Sequence, residues 1–212
     1  MINDRKITEM IDFCHQLYRK NLVSSTGGNV SVKVGNNILI TATGICLGDV
    51  TTQYLVEIDL EGNVIGKGIP SKESDFHLKM YKNFQNCQIV AHIHSPYIIA
   101  ASLMINDSTS EMPIFSPGYA TRVGFIPIIP YYMPGSKELS NAVIQKINDN
   151  CAVILQNHGL VCWGETIKEL INIIEEIEEN AKILIFTNNK GRSLNKQEVN
   201  KVRSLYIKRQ IL

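Results

Sequence analysis

The feature that most constrains this chain is the stretch 88–96, which reads QIVAHIHSP. An apolar run at 89–91 leads directly into His92 and His94, which are separated by a single residue. Successive side chains of a β-strand alternate between its two faces, so both imidazoles are expected to point to the same side. The pair predicts a buried strand that ends in half of a metal site. Because two imidazoles alone rarely hold a catalytic metal, further ligands must come from elsewhere in the chain.

Hydrophobic periodicity predicts a chain that combines helices with short strands. Helices are expected from the N-terminus to near Asn21, over 71–86, 96–103 and 136–147, and from Thr166 to about 185. Strands are expected at 30–34 and 38–41 as one hairpin, at 54–59 and 63–65 as a second hairpin, around His92, at 126–129 and at 152–155. The stretch 106–134 is rich in proline, glycine and tyrosine, which indicates a long irregular segment of the kind that carries function.

Composition and charge exclude several classes of function. With 212 residues the chain can form one sizeable core, and 1–212 is interpreted as a single domain. Its 21 Lys+Arg and 20 Asp+Glu residues are spread along the sequence, so neither nucleic acid nor a membrane is indicated as a partner. The sequence contains no signal peptide, no membrane-spanning run and no paired cysteine motif. A cytoplasmic protein that acts on a small molecule is expected.

His158 is the candidate for a third metal ligand. It lies in the turn after an apolar run, much as His92 and His94 end theirs. Three histidines suit zinc or another borderline divalent metal and leave a coordination position open for substrate. The alternative is that these are hydrogen-bonded histidines with a structural role, which is the interpretation preferred for His15 and His77 within their helices.

Glu73 is the candidate acid/base. Residues 70–73 form a loop that opens a helix, where a carboxylate is held by the helix start and can face the strand that follows. Taken alone, Glu73 is also compatible with an ordinary glutamate in the first turn of a helix.

Three loops indicate anion binding. Each carries hydroxyl groups, small residues and exposed backbone N–H groups, and Lys72 could add a positive charge. The loops are 25–29, Thr43 with Gly44, and Ser71 with Lys72. Each loop alone is an ordinary turn, and only their convergence would indicate a phosphate.

Five separated motifs occur in the order in which the class II aldolase/adducin family has them. They are GGNVS at 27–31, TATG at 41–44, PSKE at 70–73, AHIH at 91–94 and NHGL at 157–160. The chain resembles this family from its first predicted helix to the end of the last long one. The resemblance implies an α/β fold of three α/β/α layers around a mainly antiparallel central sheet. It also implies a homotetramer with active sites at subunit contacts.

The resemblance implies a role for each site residue. His92, His94 and His158 would bind one divalent metal per subunit, typically Zn²⁺, and Glu73 would approach the metal and act as the catalytic acid/base. The epimerase branch tends to have aspartate in place of Glu73, so epimerisation is disfavoured. The positions that would hold a phosphorylated substrate are Thr26, Gly28, Asn29, Thr43, Gly44, Ser71 and Lys72.

Segments 43–48, 122–135 and 174–182 look most like the branch that decarboxylates 3-oxo-tetronate 4-phosphate. That reaction passes through an enediolate and yields dihydroxyacetone phosphate and CO₂. One alternative is a sugar-phosphate aldolase of the fuculose-1-phosphate type, and another is a metal-free, adducin-like interaction domain. An aldolase usually needs a tyrosine, for which Tyr119, Tyr131, Tyr132 and Tyr206 are available. Tyr119 and Arg122 are also candidate substrate contacts.

Overall fold

The computed structural model describes residues 2–105, 111–147 and 150–210, without the side chains of 2–3 and 206–210. The helices are α1 (Ile2–Arg19), α2 (Ser74–Asn83), α3 (Pro96–Met104), α4 (Pro117–Arg122), α5 (Lys137–Ile147), α6 (Ile167–Phe186) and α7 (Lys196–Gln210). The strands are β1 (Asn29–Val34), β2 (Asn37–Thr41), β3 (Leu55–Ile58), β4 (Val64–Ile65), β5 (Ile89–Ile93), β6 (Ile128–Ile129), β7 (Ala152–Leu155) and β8 (Gly159–Gly164).

The strands form one sheet in the order β4-β3-β2-β1-β5-β8-β7-β6. Neighbouring strands are antiparallel except β6 and β7, which form the one parallel pair in the described part of the chain. The predicted fold, a mainly antiparallel sheet in an α/β architecture, is therefore confirmed, with a mixed edge. β5, which carries the histidine pair, lies in the middle between β1 and β8, where both of its edges are hydrogen-bonded.

Two hydrophobic cores lie on opposite faces of the sheet. On β5, Ile89, Ala91 and Ile93 pack with α1, α3 and α6, whereas Val90 packs with α2 and α5 on the other face. This alternation is the two-residue period of a strand, and burial on both faces explains why four of the five residues of β5 are apolar, with His92 as the exception. The three layers implied by the resemblance are present.

Helix boundaries follow local signals in the sequence. α1 ends at Arg19, and Asn21 adopts a left-handed conformation (φ 57°) while the N–H of Leu22 bonds the carbonyl of Leu17, as in a Schellman cap. At the start of α6 the Thr166 hydroxyl accepts from the N–H of Glu169, as expected of an N-cap residue.

Three elements were not predicted. β8 is a short apolar run without alternation, α4 is a helix of six residues inside the segment expected to be irregular, and α7 has a charged sequence with little apolar periodicity. Of the irregular segment 106–134, residues 106–110 lie outside the described residues.

Within the described residues, no helix is long and apolar enough to cross a membrane.

Candidate metal and phosphate site

Strand pairing places the three histidines at one end of the sheet. In the antiparallel pair β5–β8, Ile93 lies opposite Leu160, so His94 just after β5 and His158 just before β8 are close in space. Gly159 makes this approach possible: a Cβ there would lie 2.1 Å from the carbonyl oxygen of Ile93.

Glu73 comes to the same point from the helical layer. It is the N-cap residue of α2, but its side chain makes no capping hydrogen bond. The carboxylate instead faces the histidines, with Oε2 lying 3.3 Å from Nε2 of His92 and Oε1 lying 3.5 Å from Nε2 of His158. The helix start therefore fixes the backbone of Glu73 while the side chain faces the end of β5.

The four side chains form a compact cluster of ligand atoms. The Nε2 atom of His92 is 2.8 Å from Nε2 of His94 and 3.3 Å from Nε2 of His158. One ligand atom from each of the four residues lies within 4.8 Å of all the others. Zinc–nitrogen bonds of about 2.0 Å in a tetrahedron require ligands about 3.3 Å apart, so these spacings suit such an ion.

Burial keeps the histidines neutral and able to bind a cation. It lowers the pKa of His92 to about 3, an effect to which His158 adds. It also lowers the pKa of His94 to about 4 and lowers the pKa of His158. The Nδ1–H group of His92 donates to the carbonyl of Leu160 (2.9 Å), which leaves its Nε2 lone pair facing the cluster.

Two buried atoms of the cluster have no hydrogen-bond partner, Oε1 of Glu73 and Nδ1 of His158. An unpaired carboxylate oxygen that faces three neutral imidazoles is costly unless a cation satisfies it. The residues present therefore fit a divalent metal.

The predicted anion loops are tied together beside this cluster. The N–H of Thr43 bonds the carbonyl of Ile69 (3.0 Å), and the N–H of Ser71 bonds the carbonyl of Thr41 (3.2 Å). Gly28 adopts a left-handed conformation (φ 82°), and a Cβ there would lie 2.7 Å from the carbonyl oxygen of His92. The glycine-rich turn before β1 can thus lie directly against β5.

One cavity of about 510 Å³ joins the loops to the metal ligands. All seven residues predicted to bind phosphate line it, together with Glu73, His94 and His158. The lining also includes Ala42, Ile99, Pro134 and Asn157, which the sequence did not single out as site residues. The only sequence signal for Asn157 was its position immediately before His158 in the NHGL motif.

Asn29 has contacts that its predicted role did not include. Its Nδ2 donates to Oε2 of Glu73 (2.9 Å), and its Oδ1 lies 2.6 Å from Nε2 of His77. The amide therefore supports the carboxylate from behind, and one Nδ2 hydrogen is left for other partners.

Two predicted substrate contacts are not brought to the cavity. Tyr119 is fully buried in the core on the α1, α3 and α6 face, and Arg122 pairs with Glu176 (2.7 Å) at a separate cavity. Tyr131 is exposed and Tyr132 packs on the α2 and α5 core, and neither is part of the cavity lining. The side chain of Tyr206 lies outside the described residues.

Comparisons with known proteins show which family this chain resembles. Residues 8–185 match the family described as Class II Aldolase and Adducin N-terminal domain. The 3-oxo-tetronate 4-phosphate decarboxylase of Haemophilus influenzae is 37% identical over 180 residues, which are 84% of this chain and 85% of that protein. An L-fuculose phosphate aldolase of Methanococcus maripaludis is 38% identical over 183 residues, which are 86% of this chain and 98% of that protein.

Solved structures show the same fold. YgbL from Escherichia coli superposes with a TM-score of 0.88 at 31% identity and covers 96% of this chain and 100% of its own. An L-fuculose 1-phosphate aldolase superposes with a TM-score of 0.84 at 26% identity and covers 94% of each chain. The chain therefore belongs to the class II aldolase and adducin family.

Proposed function

We propose that this protein is a metal-dependent carbon–carbon lyase that decarboxylates 3-oxo-tetronate 4-phosphate to dihydroxyacetone phosphate and CO₂. The observation that carries the proposal is the junction of two sites in one cavity. His92, His94, His158 and Glu73 offer a cation site, and the three anion loops open into the same space. A substrate with a ketone close to a phosphate could contact both at once.

The chain's own residues have distinct tasks in this reaction. The loop hydroxyl groups, the loop N–H groups other than those of Thr43 and Ser71, and Lys72 bind the phosphate. The three imidazoles hold a divalent ion, for which we propose zinc. When bound, the ion supplies Lewis-acid stabilisation of the negative charge that develops on the ketone oxygen as CO₂ leaves. Glu73, as a carboxylate, takes up a proton from solvent in the cavity and passes it to the carbon that carried the substrate's carboxylate, which completes dihydroxyacetone phosphate.

Two features favour decarboxylation. Decarboxylation needs one proton delivered to carbon, and Glu73 is the one carboxylic acid among the described residues that line the cavity. The segment 130–135, which looked most like the decarboxylase branch, forms part of the cavity wall: Pro134 lines the cavity, and a Cβ on Gly135 would lie 3.3 Å from the carbonyl of Lys72.

Aldol cleavage is the second candidate, since a relative named L-fuculose phosphate aldolase is as similar to this chain as the decarboxylases are. It would use the same metal ligands and phosphate loops, but would also have to take up the proton of the cleaved hydroxyl. A third candidate, an adducin-like interaction domain, predicts a protein that binds no metal.

The candidates are separated by assaying two substrates side by side with the zinc-loaded protein. We expect CO₂ release from 3-oxo-tetronate 4-phosphate and little aldehyde release from fuculose 1-phosphate. Activity on fuculose 1-phosphate alone would replace the decarboxylase proposal with the aldolase. Activity on neither, combined with a failure of the protein to take up zinc, would support the interaction domain.

We also propose the homotetramer with active sites at subunit contacts. Met133, which is 67% exposed, directly precedes Pro134 of the cavity wall, and Phe186 at the end of α6 is 77% exposed. An exposed apolar side chain beside the cavity wall, together with a second one at the end of α6, is suited to subunit contacts. Light scattering of the purified protein measures the oligomeric state, and a monomer would contradict this proposal.

A further inference from the structure

A chain of buried hydrogen bonds runs from the interior to Glu73. The hydroxyls of Tyr81 and Ser31 lie 2.9 Å apart, and Oγ of Ser31 lies 2.7 Å from Nδ1 of His77. His77 Nε2 lies 2.6 Å from Asn29 Oδ1, and Asn29 Nδ2 lies 2.9 Å from Glu73 Oε2. These five side chains are all buried, so each polar atom depends on its neighbour in the chain.

The chemistry of the Glu73 end fixes the direction of every bond. An ionised carboxylate only accepts hydrogen bonds, so Asn29 must turn its NH₂ group to Glu73 and its carbonyl oxygen to His77. That oxygen also only accepts, so the His77 nitrogen facing it, Nε2, must carry a hydrogen. In the neutral ring Nδ1 is then an acceptor, and the Ser31 hydroxyl must donate to it. The Ser31 oxygen in turn accepts from Tyr81.

His77 is the one link whose tautomer decides the orientation of Asn29. With the hydrogen on Nδ1 instead, two acceptors would face each other 2.6 Å apart, and the Asn29 amide would be driven to flip. A flipped amide would present its oxygen to Glu73 Oε2 and repel the carboxylate. The ring itself is held by stacking on Phe76, with centroids 4.8 Å apart and planes at 19°.

We propose that His77 is a positioning residue: as the Nε2–H tautomer it locks the Asn29 amide toward Oε2 of Glu73 and so holds Oε1 of Glu73 facing the histidine cluster. The kinetic part of this inference rests on the proposed lyase function, in which Glu73 handles the proton. The tautomer itself follows from the hydrogen-bond chain alone and can be tested independently.

The first test is nitrogen-15 NMR of the zinc-loaded protein with labelled histidine. The His77 signals are identified by their absence in His77→Gln. We expect a protonated Nε2 and an unprotonated Nδ1. A hydrogen on Nδ1, or on both nitrogens, overturns the proposal whether or not the protein is a lyase.

The second test is kinetic. His77→Phe keeps a stacked ring but removes both nitrogens, and we expect kcat to fall roughly 10- to 100-fold, the usual range for residues that orient a metal-site ligand. KM should stay within about twofold and zinc content should not change, because the three imidazoles and the substrate-loop residues other than Asn29 are not altered. His77→Gln, whose amide can still donate to Asn29, should recover most of the loss.

Controls separate positioning from general damage. His15→Gln makes the same replacement at a histidine whose Nε2 bonds the Val50 carbonyl (2.8 Å) away from the cavity, and kcat should not change. Tyr81→Phe removes the far end of the hydrogen-bond chain and should lower kcat less than His77→Phe does.

The positioning role is overturned if kcat is unchanged in folded His77→Phe, or if kcat of His77→Gln is as low as that of His77→Phe. Should His77→Phe fail to fold, two results still test the proposal. The first is the His77 tautomer seen by NMR, and the second is the kcat of His77→Gln, which should stay close to that of His15→Gln. An inactive wild-type protein would defeat the proposed function but not the tautomer.

Discussion

Replacing Glu73 by glutamine changes the proposed acid/base with the least change in shape. Glu73 is only 8% exposed, and its side chain lies between two partners, Asn29 behind it and the histidine cluster in front. The glutamine oxygen can still accept from Nδ2 of Asn29, which turns the new NH₂ group toward His158. The variant therefore keeps the packing and loses the carboxylate that faces the cluster.

The expected effect is large on turnover and small on metal content. A positioned acid/base contributes about 10²- to 10⁴-fold in rate, which corresponds to roughly 2.7 to 5.4 kcal/mol of activation free energy. Three neutral imidazoles, with Nε2 atoms 2.8 and 3.3 Å apart, still offer a zinc site. We expect kcat for CO₂ release to fall by at least 100-fold while about one zinc per chain is retained.

The assay couples CO₂ release to metal analysis of the same sample. Asp75→Asn is the matched control, since Asp75 is a carboxylate on the same helix that pairs with Lys79 (2.8 Å) and is half exposed. Unchanged turnover in Glu73→Gln would refute the acid/base role. Loss of zinc together with turnover would instead make Glu73 an indispensable metal ligand.

Four further predictions follow from the structure. Gly159→Ala puts a Cβ 2.1 Å from the Ile93 carbonyl oxygen, so it should lower the unfolding free energy measured in urea by about 1–3 kcal/mol and weaken zinc binding. In the control Gly164→Ala, on the same strand, the new Cβ meets nothing closer than 3.5 Å, and neither effect is expected. Lys72→Met should raise KM for the phosphorylated substrate about tenfold or more in steady-state kinetics, because a charge-assisted contact is lost. Burial lowers the pKa of His77 to about 3. Between about pH 6.5 and pH 3, therefore, only the unfolded chain binds that proton, and the unfolding free energy of the wild type should fall as the pH drops from about 6 to 4. In His77→Gln this slope, measured by urea denaturation, should be smaller by about 1.4 kcal/mol per pH unit, and an equal slope would show that His77 is not buried and neutral. Zinc at about 100 times its Kd should stabilise the protein by about 2.7 kcal/mol, seen as a higher Tm that a chelator abolishes.

The metal ligands were predictable because local sequence fixes them. The two-residue period of a strand puts His92 and His94 on one face, and an apolar run predicts that His158 lies at the end of a strand. Only the order of the strands in the sheet could not be predicted. The order itself, with β8 beside β5, depends on pairing between residues some 70 positions apart, such as His92 and Val161. No periodicity in the sequence contains that information.

The interior support of the site was not predictable in the same way. His77 was interpreted as structural because a histidine within a helix is commonly a hydrogen-bonded residue with a structural role. Asn29 was assigned to the phosphate through the GGNVS motif. Their contact joins a strand to a helix and uses both hydrogen-bonding atoms of one amide. Such a network depends on three-dimensional packing, so only the assembled fold reveals it. Tyr119, a candidate substrate contact in a segment expected to be irregular, lies in α4 and is fully buried, which its sequence context did not indicate.

The most direct test of the proposed function is CO₂ release from 3-oxo-tetronate 4-phosphate by three forms of the same protein: as purified, stripped with a chelator, and reloaded with zinc. We predict activity in the first form, loss in the second, and recovery in the third when one zinc ion is bound per chain. Activity that survives complete metal removal, or a zinc-loaded protein that releases no CO₂, would contradict it.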